Sequence, residues 1–137
     1  MGLDNGWIVK SNKRKITRDM LPAGINYPFE EDYNGEVEII YHRKDWGWRT
    51  TIMNTFGWRN NLEDQWKFEI DTPEQILMLI EMTAKWLNKE TWEDEGNSIW
   101  TYEEARPHLI TDIMNLAIIY GWMLQNPDIY LEFYDSF

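Results

Sequence analysis

A chain of 137 residues that is 43% hydrophobic and 15% aromatic has the length of one ordinary domain and too much apolar content to be disordered. The absence of cysteine excludes disulfides, thiolate metal sites and a cysteine nucleophile, and points to a reducing compartment. The net charge of −11 is uneven: residues 1–60 carry nine Lys or Arg against eight acids, a net of +1, while residues 61–137 carry four against sixteen, a net of −12. So acidic a surface repels phosphate backbones at long range, which argues against general nucleic-acid binding.

The chain opens Met1-Gly2-Leu3-Asp4-Asn5-Gly6, without the basic and then apolar stretch of a signal peptide. Gly6 stands where an N-myristoylation pattern wants Ser or Thr. The longest apolar runs, between positions 76 and 124, are interrupted by Glu81, Lys85, Asp112 and Asn115, so no membrane span is expected. The expected location is the cytoplasm.

Trp7–Lys10 is expected as a strand, followed by a basic turn over Ser11–Arg18. Pro22, Gly24, Asn26, Pro28, Asn34 and Gly35 then predict an irregular connector. From Glu36 to Tyr41, Val37, Ile39 and Tyr41 alternate with Glu36, Glu38 and Ile40, the pattern of a strand with one buried face. Asp45 can cap a helix with an inner face of Trp48, Ile52 and Phe56 that closes at Gly57, although three threonines leave a strand open there. Trp66, Phe68 and Ile70 predict another strand. Thr72, Pro73 and Gln75 form a capping box with proline at the first helical position. The helix so started has Ile76, Ile80, Thr83, Ala84 and Leu87 on one face and runs to about Asn88.

Lys89–Asn97 is expected as an acidic, solvated loop, and Glu90, Glu93, Asp94 and Glu95 within it are candidate partner-binding residues. Thr101 and Glu104 cap a second long helix that tolerates Pro107 near its start. Leu109, Ile113, Leu116 and Tyr120 form one apolar stripe on it, and Ile110, Met114, Ile118 and Trp122 form another. Two stripes predict a helix buried between layers. Ile129, Leu131 and Phe133 alternate with Tyr130, Glu132 and Tyr134 in a terminal strand, expected at a sheet edge where a second copy pairs to form a homodimer. The fold class is α+β: one domain over residues 1–137, with a small antiparallel or mixed sheet against two or three helices.

The densest concentration of chemistry is Tyr41–Arg49, where His42, Arg43, Lys44, Trp46, Trp48 and Arg49 put cations and indoles at a strand-to-helix junction. Such a junction suits a phosphate or nucleobase, so these six are the candidate ligand-binding residues. The bland alternative makes the indoles core and the cations solvated. Lys10–Arg18 holds five cations but only Trp7 nearby, which fits diffuse steering better than a shaped pocket. No phosphate loop, dinucleotide fingerprint, metal-ligand spacing or nucleophile elbow occurs, so no cofactor or metal is expected. Any catalytic histidine must be His42 or His108.

The opening Met1–Gly6, the Tyr41-His42-Arg43-Lys44 stretch and the following Trp46-Gly47 resemble a set of small uncharacterised phage and prophage proteins. These begin in the same way and carry a Tyr-Trp-Arg-Lys segment; His42 stands here where the pattern has Trp. The resemblance implies no activity, only a setting: a phage-encoded accessory protein acting in the cytoplasm of a host bacterium. Three readings result. The first is a small acidic protein that binds a host protein, such as a defence component, and modulates or blocks it without catalysis. The second is a binder or sequesterer of a nucleotide-like ligand at the basic and aromatic segment. The third is an enzyme using His42 or His108 with carboxylates.

Overall fold

The computed structural model describes residues 4–25, 36–43, 55–56, 67–95 and 101–136. Strands β1 (Asp4–Ser11), β2 (Val37–Arg43), β3 (Lys67–Ile70) and β4 (Ile129–Ser136) form one sheet. Helices α1 (Pro73–Trp86), α2 (Lys89–Glu95) and α3 (Tyr102–Gln125) lie between β3 and β4 in sequence. The strand order is β2-β1-β4-β3, with every pairing antiparallel, so the fold class is α+β.

The inward rows follow from the register. Trp7 and Val9 stand opposite Phe133 and Leu131, and Phe68 and Ile70 continue the same rows on β3. All but the half-buried Phe68 are buried, and they meet Ile76 and Leu79 of α1 and Leu116, Ile119 and Met123 of α3 in one core. Trp7 packs on Phe133 with ring centroids 5.1 Å apart.

β2 departs from simple alternation. Trp7 faces Ile40 and Ile8 faces Glu38, so Ile39 is an extra residue without an opposite number. Such a bulge lets neighbouring residues turn to the same side. Ile39 and Ile40 are accordingly both buried, where alternation predicts Ile40 outside.

α1 starts as its capping signal dictates. The Gln75 side-chain oxygen accepts from the backbone N–H of Asp71 at 2.8 Å and of Thr72 at 3.1 Å, satisfying donors a helix start leaves open. Its buried residues are Ile76, Leu79, Thr83 and Trp86, so the inner face is rotated away from Ala84 and Leu87. The segment after it is not the expected loop. Asn88 Oδ1 accepts from Thr91 N–H at 3.2 Å, capping the seven-residue α2, and Trp92 meets Trp86 edge-on at 6.4 Å. An indole anchored on α1 offsets a composition that favours solvent.

α3 is capped by Thr101, whose side-chain oxygen accepts from Glu104 N–H at 3.2 Å while Glu104 accepts from Thr101 N–H at 3.0 Å. It continues through Pro107, and the Tyr102 hydroxyl ties its start to the Leu87 carbonyl. Only one side is buried, through Ala105, Leu116, Ile119 and Met123. Met114 is 61% exposed, so α3 is not sandwiched between two layers.

The strand order also overturns the expected edge pairing by Ile129–Phe133. β4 is flanked by β1 and β3, so its backbone is already paired on both sides. The hydrophobic alternation that marks β4 as a strand describes its faces and says nothing about its neighbours.

Candidate functional site

The structure describes the expected ligand segment only at its start. His42 and Arg43 end β2, in register with Asn5 and Asp4, while Lys44, Trp46, Trp48 and Arg49 lie outside the described residues, as do Asp45 and Ile52 of the expected helix. Thr55 and Phe56 are helical, and Phe56 stacks on Phe68 at 4.9 Å. Of the expected partner-facing acids, Glu90 is exposed on α2, and Glu93, Asp94 and Glu95 complete that helix. His108 is exposed on α3. Among the described residues no group of His, Asp or Glu is arranged to hold a metal ion.

A concavity of about 780 Å³ opens at the other end of the sheet, where β1 and β3 finish and β4 begins. It lies roughly 24 Å along β1 from the Asp4–Arg43 pair, at strand spacing. Asn12, Lys13 and Arg14 form one wall, Glu69 and Asp71 the other, and Pro127–Tyr130 the floor. Because β4 lies between β1 and β3, the basic and acidic walls face each other across one strand, about two strand spacings apart or roughly 9.6 Å.

Local hydrogen bonds hold this arrangement. Arg14 Nε donates to Asp128 Oδ2 at 2.9 Å, and Nη2 donates to Asn126 Oδ1 at 2.9 Å and to Asp128 Oδ1 at 3.3 Å. The guanidinium thus clamps the turn between α3 and β4. Ser11 Oγ donates to Asp128 Oδ2 at 2.7 Å and accepts from Lys13 N–H at 3.1 Å. The Ser11 hydroxyl above all holds the Asp128 carboxyl below the usual carboxylate range; burial opposes it, and the Arg14 guanidinium and a backbone hydrogen bond add to the lowering. Arg14 and Asp128 are committed to each other. Lys13, Glu69 and Asp71 are exposed and make no ion pair among the described residues.

The sheet face away from the helices carries further charge. Glu38, Ile8, Glu132 and Glu69 form one row across all four strands, in which facing glutamates repel. Lys10 Nζ answers this, 3.4 Å from Glu132 and 3.9 Å from Glu36. Tyr134 crosses above Gly6 and donates its hydroxyl to Glu38.

Sequence reading undervalues this region. It treats Lys10–Arg18 as a diffuse charge, whereas Lys13 and Arg14 shape one wall of a cleft. The other wall and floor come from residues 69–71 and 127–130, so no local motif announces the site. The structure defines the molecule's class as a four-stranded antiparallel α+β sheet with a helical layer on one face. Comparison with known proteins finds no matching family, no matching curated protein and no matching solved structure.

Proposed function

We propose that this is a phage-type accessory protein that binds a host protein in the bacterial cytoplasm and modulates or inhibits it without catalysis. The observation that carries this reading is the cleft at the end of the sheet, with its opposed charged walls. Proton transfer near neutral pH needs a carboxyl raised toward 7. Here Asp128 is pushed the other way and is held by Ser11 and Arg14, so it shapes the cleft, and the exposed Lys13, Glu69 and Asp71 are left to meet a partner. The walls match a polypeptide segment carrying both signs of charge, with Tyr130 as an amphipathic contact on the floor. The exposed Glu90 and the acidic stretch around it add a second surface that would steer a basic partner. The phage setting rests on the resemblance of the opening and of Tyr41–Gly47 to phage and prophage proteins.

The test is capture from bacterial lysate by the wild-type protein and by Lys13→Glu and Asp71→Lys, with mass spectrometry of what is retained. A partner held by the wild type and lost from both variants supports the reading. Identical capture by all three removes the cleft from function.

A further inference from the structure

The helix layer presents to solvent what a core normally hides. Among the described residues, the large apolar side chains left exposed are Met20, Leu77, Met78, Met114 and Leu124, and four of the five belong to α1 and α3. These helices are antiparallel neighbours: α1 leaves the sheet where β3 ends, and α3 returns to it where β4 begins. From Ile113 to Gln125, α3 has no charged residue over thirteen positions, in a chain of net charge −11.

The order of residues on that outward side is specific. Ile110, Met114, Ala117, Gly121 and Leu124 recur at alternating steps of four and three, the seam spacing of a helix that packs lengthwise against another helix. Met114 is 61% and Leu124 54% exposed. The four residues Met114, Ala117, Gly121 and Leu124 read large, small, small, large, with steps of three, four and three. That order is the same in both directions. An antiparallel copy of α3 centred at the level of Ile119 therefore sets Met114 against Leu124 of its mate and Ala117 against Gly121. Small residues then lie at the crossing, where two backbones come closest, with large ones on either side.

Gly121 supports the same arrangement from within the protomer. Glycine inside a helix is distinctly less favourable than alanine, and a Cβ at this position would meet nothing within 4 Å. No contact among the described residues requires it to be bare.

The geometry points to a two-fold homodimer formed by α3 packing antiparallel on α3 of a second copy. The interface is small. Centred at Ile119, the two copies of α3 overlap only over residues 113–125, about 20 Å. With two helices side by side spanning about 20 Å, the footprint is roughly 400 Å², half the ~800 Å² that each partner buries in a standard interface, so the dimer is a weak one. Charge favours this stretch too, because two acidic molecules meet over residues 113–125, which carry no charge. The seam shares no residue with the sheet-end cleft, so substitutions in the one leave the lining of the other intact.

Sedimentation of the full chain through the micromolar range tests the proposal, beside Gly121→Leu and the double variant Met114→Lys, Leu124→Lys. A dimer is expected for the wild type, with the dissociation constant weakened about tenfold or more in both variants and far-UV circular dichroism unchanged. Gly121→Leu should fold because the protomer has open space there, and the double variant only adds charge at exposed positions. A wild-type monomer at high micromolar concentration overturns the proposal. So does a dimer that survives both variants, or an α3 face protected from hydrogen exchange only when a different protein is added. Raising salt should tighten this dimer by screening net repulsion, whereas capture through the charged cleft should weaken with salt. Failure of one is thereby distinguishable from failure of the other.

Discussion

Gly6 and Tyr134 show how one residue can depend on another far away in the chain. A Cβ on Gly6 would lie 2.8 Å from the Ile40 carbonyl oxygen and 3.0 Å from the Tyr134 ring, so glycine is needed for the ring to cross β1 and reach Glu38 on β2. Gly6→Ala should destabilise the fold by about 1–3 kcal/mol through overpacking, measured by urea denaturation; a neutral result would mean that the ring does not lie over β1. Asp128 makes a pH prediction. Its folded pKa is held below the ordinary value, so its stabilising contribution is fully present above that value, ~3.9 for a free aspartate. The contribution is lost as pH falls through the depressed folded pKa. Asp128→Asn should therefore lower the melting temperature near neutral pH and flatten its decline in acid below about pH 4. Glu103 and Glu104 are also depressed, the first mainly by a backbone hydrogen bond and then Lys89, the second by Thr101. They should keep some acid sensitivity in that variant.

At the scale of the element, α3 separates pattern from burial. Two apolar stripes run along it, and Leu116 is 1% exposed whereas Ile113 is only half-buried. Leu116→Ala should cost about 2–5 kcal/mol, and Ile113→Ala distinctly less, in parallel urea titrations; equal costs would place Ile113 in the core as firmly as Leu116. Removing the cap by Thr101→Ala should cost about 1 kcal/mol, because the Glu104 N–H then loses its acceptor. The caps of α1 and α3 were legible because capping is a local exchange among residues three apart. α2 was not, because its anchor is the contact of Trp92 with Trp86, and its acids mask a helix held by one indole.

At the scale of the molecule, the sheet end bears opposed charges, while the second half of α3 bears exposed methionine and leucine with no charged residue between Ile113 and Gln125. If both surfaces act, a dimer carries two clefts, and a partner with two matching segments would bind more tightly than one cleft allows. Added salt should then move the two associations in opposite directions, read by sedimentation for the dimer and by capture yield for the partner. Movement in the same direction would contradict the separation of roles.

The α+β class, all four strands and the two long helices follow from the sequence, because alternation, helical periodicity and capping act over a few neighbouring residues. The same local information marked Leu116, Leu131 and Phe133 as core. Strand order lay beyond it, since the faces of β4 are encoded in its own residues but its neighbours are set by how remote segments close around it. The bulge at Ile39 likewise arises from pairing with β1 and reverses the expected exposure of Ile40. The cleft is tertiary in the fullest sense: Lys13, Asp71 and Asp128 are far apart in the chain and come together only because β4 inserts between β1 and β3. Of the second apolar stripe on α3, Ile118 and Trp122 pack against the core and Met114 faces solvent; the outward seam through Ala117, Gly121 and Leu124 was decided by the packed structure alone, because one sheet and one neighbouring helix can cover one side of α3 and not both.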